Sequence, residues 1–266
     1  MSKIQVGEIE FHYELEGESE RTIVLVNGLA DTLETWELQV PDLLAAGYRV
    51  LRFDNRGVGA TSKPAGPYTT QMMARDAHDL VTALGIESFH LMGVSMGGMI
   101  AQEYALAFQE QLLSVTFACT YAAPGPFCSR MFAMWADLAP VFGVPFVMRD
   151  VTLWAFTNTF FEERENELRE FEEAMVFGDQ PTHAYLAQLN AIQTHDTRNR
   201  LQDLGIPVMV LAGEQDILIP TYLSKELAKL TPGSIYRETK GGHGCVWEYP
   251  DEFNQSFLSF INSVGG

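Results

Sequence analysis

The sequence predicts an α/β protein: a mainly parallel sheet flanked by helices and interrupted by a helical insertion. Three observations carry that expectation. Short β-branched runs alternate with helix-patterned stretches over roughly the first 120 residues. The alternation stops between about Pro124 and Arg200, then resumes at Pro207 and continues to a last helix. Strands separated by helices of about 10 to 15 residues imply right-handed βαβ crossovers, and so parallel pairing.

Taken in order, Phe11–Leu15 and Thr22–Val26 read as strands, the second stopped by Asn27-Gly28. Trp36, Val40, Leu43 and Leu44 then fall at helical spacing, ahead of a strand at Arg49–Phe53 that ends in Asp54-Asn55-Arg56-Gly57. Met72–Leu84 reads as a helix closed by Gly85, followed by the strand Phe89–Gly93, the helix Met96–Phe108 and the strand Leu113–Cys119. Inside the irregular segment, Glu162–Glu173 holds seven Glu and two Arg. Leu168, Phe171 and Met175 give it one apolar face, and Glu165 and Arg169 form an i,i+4 pair, which reads as a solvated helix packed on one side. The strand Pro207–Ala212, the helix Tyr222–Leu230, the strand Ser234–Thr239 and a helix from Asp251 to about Ile261 complete the chain.

A chain of 266 residues buries roughly three-quarters of its unfolded surface, enough for one domain without disulfide or metal staples. Lys and Arg number 17 against 35 Asp and Glu, a net charge of −18. That balance argues against nucleic acid or an anionic membrane as partner, since both demand clustered cations. No apolar run approaches the roughly 18 residues of a membrane span, and Met1–Val6 contains no apolar signal core. Cys119, Cys128 and Cys245 form an odd, unpatterned set that suits a reducing compartment, so a cytoplasmic globular protein is expected.

Gly93-Val94-Ser95-Met96-Gly97 is a Gly-x-Ser-x-Gly sequence between a strand and a helix. Composition alone would produce about 0.08 such sequences in this chain, and its position adds most of the weight. A sharp strand-to-helix turn strains the serine backbone and lifts its hydroxyl clear of the sheet. Small residues are then needed two positions before and after, and Gly93 and Gly97 meet that need. The helix starting at Met96 aims free N–H groups at the place where negative charge would develop.

A serine hydroxyl needs a base and an orienting carboxylate, here expected downstream in the order acid, then histidine. Of six histidines, His243 in Gly241-Gly242-His243-Gly244 lies on a loop after the last strand, from which the ring can reach over the sheet. His195 beside Asp196 is the competitor, but it sits in the irregular segment. Asp216 in Gly213-Glu214-Gln215-Asp216 follows a strand C-terminus, where open α/β sheets place their sites; Glu214 competes with it. The earlier acid position, after Cys119, offers only Thr120, Tyr121 and Ala122. There is no His-Glu-x-x-His, Cys-x-x-Cys or Walker-type loop, so no metal or other cofactor is expected. Cys245 reads as a small buried apolar side chain.

These motifs together resemble the α/β-hydrolase fold family over nearly all of the chain. The resemblance rests on Val26-Asn27-Gly28-Leu29 with Trp36 downstream, Phe53-Asp54-Asn55-Arg56-Gly57-Val58-Gly59, the Ser95 sequence, Gly213-Glu214-Gln215-Asp216, and Gly242-His243 followed by Pro250. Within the family it is most similar to 3-oxoadipate enol-lactonases, cofactor-free bromoperoxidase-like proteins and small carboxylesterases. The resemblance implies an eight-stranded sheet, a core of residues 1–123 and 201–266, and a helical cap of residues 124–200. It implies Ser95 as nucleophile, His243 as base, Asp216 as its orienting acid, and an oxyanion hole from the backbone N–H groups of Leu29 and Met96. Asn27 stands where the family often has His, which puts the support of that loop in question.

The activity this implies is hydrolysis of a small-molecule carboxylic ester or lactone through an acyl-enzyme, with loss of activity as pH falls through a near-neutral pKa of His243. The same triad also serves peroxide-dependent acyl transfer and carbon–carbon bond hydrolysis, and some proteins of this fold are ligand receptors with little turnover. Phe132, Trp135, Phe142 and Trp154, with Phe127, Met134, Phe146 and Phe156, are expected either to line an apolar substrate pocket or to form the core of the cap. A dicarboxylate substrate would require a cation above the nucleophile, for which Arg130 and Arg149 are the candidates.

Overall fold

The computed structural model describes residues 2–176 and 180–265. Its sheet has eight strands: β1 (Ser2–Val6), β2 (Ile9–Glu16), β3 (Thr22–Val26), β4 (Arg49–Phe53), β5 (Phe89–Val94), β6 (Leu112–Ala118), β7 (Val208–Gly213) and β8 (Ile235–Thr239). Their spatial order is β1-β2-β4-β3-β5-β6-β7-β8. The first two strands pair antiparallel at one edge, and β3 to β8 are parallel throughout.

The helices are α1 (Val40–Ala45), α2 (Thr70–Ala83), α3 (Met96–Phe108), α4 (Pro126–Phe142), α5 (Val144–Ala155), α6 (Asn158–Glu163), α7 (Glu165–Val176), α8 (Thr182–Gln193), α9 (Thr221–Leu230), α10 (Cys245–Glu248) and α11 (Pro250–Val264). The central strands are buried on both faces, so their side chains divide alternately between two cores. Ile23 and Leu25 meet α1 and α11 through Leu43, Phe253 and Phe257. Val24 and Val26 meet α2 and α3 through Met73, Leu80 and Ile100. Each fully buried Phe or Leu of this kind contributes about 1.5–3 kcal/mol of burial energy.

Strand β1 lies outside the strand set expected from the sequence. It is a short, largely exposed edge strand, with no buried face to imprint an apolar alternation on Ser2–Val6. The residue bounds of the expected elements otherwise shift by one to a few positions. Trp36 closes a 3-10 turn, Leu33–Trp36, rather than joining α1.

Between β6 and β7 the chain makes α4 to α8. Pro140 lies inside α4, Gly143 takes φ +86° at the break, and Pro145 sits in the first turn of α5, where its missing N–H is harmless. Helix α7 is the acidic one: Leu168 is buried, Phe171 packs on the core, and Arg169 donates to Glu165 at 2.5 Å. The side chain of Met175 lies outside the described residues. Among the described residues no helix is long and apolar enough to cross a membrane.

Candidate active site

The Ser95 turn is built by close backbone approach. Ser95 has φ +56° and ψ −118°, a conformation that costs an L residue about 1–3 kcal/mol. Its N–H donates to the Ala118 carbonyl at 2.8 Å, tying the turn to β6. A methyl group on Gly93 would lie 2.0 Å from the Gly97 oxygen, and one on Gly97 would lie 2.0 Å from the Val26 oxygen. Both positions therefore exclude every side chain. The turn lets β5 run into α3 with the serine at the helix N-terminus, among N–H groups that have no carbonyl one turn back.

The downstream residues converge on that hydroxyl. The Ser95 hydroxyl donates to His243 Nε2 at 3.0 Å, and His243 Nδ1 donates to Asp216 Oδ2 at 2.8 Å. The second oxygen of Asp216 accepts from the Ile219 N–H at 2.8 Å, which fixes the carboxylate plane. Burial alone would lower the His243 pKa. The charge and hydrogen bond of Asp216 outweigh it, Cys119 and Asp31 add to them, and the imidazole is pushed up to about 9. Among the described residues, Cys119, Asp216 and His243 have donor atoms within 4.8 Å of one another, the one such group. The imidazole and carboxylate in it already satisfy each other, and Cys119 Sγ lies 3.4 Å from Cys245 Sγ, both free thiols and both buried.

The competitors are elsewhere. His195 is buried between Thr70 Oγ1, at 2.9 Å from its Nδ1, and Gln102, and burial with nearby Arg200 pushes its pKa down to about 3. Asp196 pairs with Arg198 at the surface, and Glu214 is exposed.

Asn27 takes up the structural duty of the loop after β3. Its Oδ1 accepts from Trp36 Nε1 at 2.7 Å, its Nδ2 donates to the Phe53 carbonyl at 2.8 Å, and the Asn27 backbone carbonyl accepts from Asn55 Nδ2 at 3.1 Å. Asp54, 1% exposed, accepts from the N–H groups of Leu33 and Ala60 and from His12, binding two loops to β2. Leu29, Ser95 and His243 line one cavity together, with Met96 opening α3 beneath it.

That inner cavity measures about 50 Å³ and is walled by Phe132, Trp135, Met148, Phe156 and Leu218 among others. A wider outer cavity of about 450 Å³ shares Asp31, Met148, Phe156, Phe171 and Trp247 with it. Of the expected pocket residues, Phe132, Trp135 and Phe156 line the inner cavity. Phe142 does not: it ends α4 with 58% of its surface exposed and packs at a tilt against exposed Phe146. Trp154 does not either; its ring packs against Phe127, and its Nε1 shares Asp150 with Trp135. Helical spacing could not tell the inward face of these helices from the outward one, because both carry aromatics. Arg130 and Arg149 are exposed and line neither cavity.

Three positioning groups have no counterpart in the sequence reading. Gln188 of α8 is fully buried; its Oε1 accepts from the Ala30 N–H at 3.1 Å and its Nε2 donates to the Arg56 carbonyl at 2.8 Å, bracing the loop that carries Leu29. Glu248 accepts from the Gly242 N–H at 2.7 Å and from the Thr157 hydroxyl at 2.5 Å, tying the His243 loop to α6. Asp31 faces the cavity. Nothing in the sequence separates Gln188 from the other amides of α8, Asn190 and Gln193.

The model of the α/β hydrolase fold matches residues 21–250. The chain belongs to the α/β hydrolase fold family. It is 30% identical, over 97% of both chains, to a protein of Azorhizobium caulinodans bearing the provisional name carbamate hydrolase RutD. Among solved structures it is similar to the enol-lactonase of Burkholderia xenovorans LB400, with TM-score 0.91 and 28% identity over 98% of this chain and all of that one. It is also similar to a protein of Mycobacterium tuberculosis H37Rv provisionally named non-heme bromoperoxidase BpoC, with TM-score 0.87 and 27% identity over 96% of this chain and 97% of that one. The enol-lactonase and the bromoperoxidase-named protein are of the kinds that the motifs resemble; a carbamate hydrolase is not among them.

Proposed function

We propose that this hydrolase cleaves a short-chain carboxylic ester or lactone through Ser95, His243 and Asp216, with an acyl-enzyme intermediate. The observation that carries the reading is the hydrogen-bonded line from Ser95 Oγ through both nitrogens of His243 to Asp216, opening on a small apolar cavity.

Ser95 Oγ attacks the carbonyl carbon as its proton passes to His243 Nε2. Nδ1 keeps its own proton on Asp216, which stabilises the imidazolium. The carbonyl oxygen becomes an oxyanion facing the N–H groups of Leu29 and Met96. Collapse returns the Nε2 proton to the leaving oxygen, and water then repeats the sequence on the acyl-enzyme. The acyl group occupies the inner cavity, where the rings of Phe132, Trp135 and Phe156 limit its length, while the leaving group extends into the outer one. Absence of any Lys or Arg from the described lining of the inner cavity speaks against a dicarboxylate substrate. The likeness to an enol-lactonase supports including lactones, and the name of the RutD relative adds carbamates to the same carbonyl chemistry.

A panel of p-nitrophenyl esters from acetate to decanoate, with lactones and an alkyl carbamate, tests this. Turnover should peak at short chains and fall by about 10⁴–10⁶-fold in Ser95→Ala. Full turnover in that variant would end the proposal.

A further inference from the structure

The wall shared by the two cavities is chemically unlike the rest of the site. It consists of one carboxyl group, Asp31, and three aromatic rings, Phe156, Phe171 and Trp247, with Met148. The rings form one cluster: Phe171 lies 4.9 Å from Trp247 and 5.3 Å edge-on to Phe156, which is 6.1 Å from Trp247. Asp31 stands close to the nucleophile, since a methyl group on Gly28 would lie 2.6 Å from Asp31 Oδ2 and 3.5 Å from Ser95 Cβ.

Fixed positive charge is scarce around this wall: the His243 imidazole faces Asp31 across the inner cavity and is cationic only below about pH 9. Among the described residues, Arg164 is the one Lys or Arg lining either cavity. It is already engaged, donating to Glu167 at 2.9 Å and to the Glu248 carbonyl at 2.9 Å, with its guanidinium over the Phe160 ring. The outer cavity adds Glu34, Glu37 and Glu170. A carboxylate beside clustered aromatic rings is a setting that can bind an organic ammonium ion, whose weakly hydrated charge is held by ring quadrupoles and one counter-charge.

We infer that the leaving group of the preferred substrate carries an organic cation, a quaternary or substituted ammonium, seated against Asp31, Phe171 and Trp247 at the junction of the two cavities. This rests on the ester-hydrolase reading above and names the substrate class for it. An anionic leaving group is repelled by Asp31 and Glu170 while Arg164 is already paired with Glu167, and a neutral one gains no counter-charge. Burial pushes the Asp31 carboxyl up to about 7, against the pull of His243 and the Gly28 N–H, so the group is ionised above that pH and an arriving cation favours its ionised form.

The test compares three thioacetates at pH 8.5: acetylthiocholine, its uncharged isostere S-(3,3-dimethylbutyl) thioacetate, and anionic 3-(acetylthio)propanoate. The expected order of kcat/KM is cation, neutral, anion, with the cation at least about tenfold above its isostere. In Asp31→Asn that ratio should fall by about tenfold. Independently of any variant, choline should inhibit wild-type hydrolysis of p-nitrophenyl acetate competitively, and 3,3-dimethylbutan-1-ol far more weakly. Equal rates for cation and isostere, with equal inhibition by choline and the alcohol, would overturn the inference while leaving the hydrolase reading intact. If no ester is turned over, that reading fails instead. Calorimetric titration with choline then decides the inference, with binding supporting it and no heat of binding overturning it.

Discussion

The parallel sheet and the helices inserted after β6 hold their residues in place by different means. At the C-terminal ends of β3, β5 and β7 the constraint is backbone on backbone. Gly97 touches the Val26 carbonyl, Gly93 touches Gly97, and a methyl on Gly213 would lie 2.0 Å from the Gly242 oxygen, where β7 meets the His243 loop. The insertion relies on ring packing and a few polar ties, chiefly Gln188 and Glu248. Backbone contacts of the first kind tolerate no added atom, whereas rings can re-pack at modest cost. The proposed chemistry thus sits on the unforgiving part and the proposed substrate wall on the adaptable part.

The harshest way to break that contrast is Gly97→Ala. One methyl forced to 2.0 Å from the Val26 oxygen should destabilise the fold by about 4 kcal/mol or more, read as a lowered midpoint in urea unfolding. A wild-type midpoint would mean that the turn can relax and that the sheet end is as adaptable as the insertion.

The pH profile comes next in size. In the proposed mechanism His243 must be neutral at Nε2 to accept the serine proton, so protonation should remove activity as pH falls. With the imidazole at about 9, kcat/KM should climb about tenfold per pH unit through neutrality and level off only near that value. An unperturbed histidine would instead give a limb near neutrality, so the profile separates the two. Asp31→Asn removes a negative charge that favours the imidazolium, so the limb should move to lower pH. An unmoved limb in that variant would show that Asp31 does not feel the ring.

Smallest are two substitutions within the insertion. Gln188→Leu leaves the volume nearly unchanged but releases the Ala30 and Arg56 backbone groups, and should lower kcat on the order of tenfold while costing about 1–3 kcal/mol of stability. Phe142→Ser, on an exposed ring, should alter stability by less than about 0.5 kcal/mol and turnover by less than about twofold. A large loss in the second would return Phe142 to the substrate wall.

Strand runs, helix spacing and the Gly-x-Ser-x-Gly turn were legible because each is local: residues within one element announce their own geometry. The meeting of Ser95, His243 and Asp216 followed from where those elements end in a parallel sheet. What was not legible is long-range. Gln188 bonds a loop 158 positions away and Glu248 a helix 91 positions away, and no periodicity records such pairs. Asp31 reads as an ordinary loop acid until the fold brings it to a cavity wall. The aromatics of α4 and α5 face both inward and outward, so pattern alone could not separate Trp135 from Phe142.

The insertion leaves the sheet at the end of β6 and rejoins it at β7, and these two strands pair directly, Val115 with Val208 through Ala118 with Leu211. Seen from the sheet, it is a detour between neighbours. Its last helix is bolted down, with Gln188 on the Ala30 loop, Tyr121 donating to the Ile192 carbonyl, and Thr197 bonded to Gln102 of α3. The earlier helices meet the core more sparingly, through Glu248 and the Gly244–Ala155 bond at the His243 loop. The exchangeable cassette for grafting is therefore α4 to α7. A chimaera that swaps those helices while retaining α8 keeps the brace on the loop of Leu29, and imports a new substrate wall onto an unaltered machine.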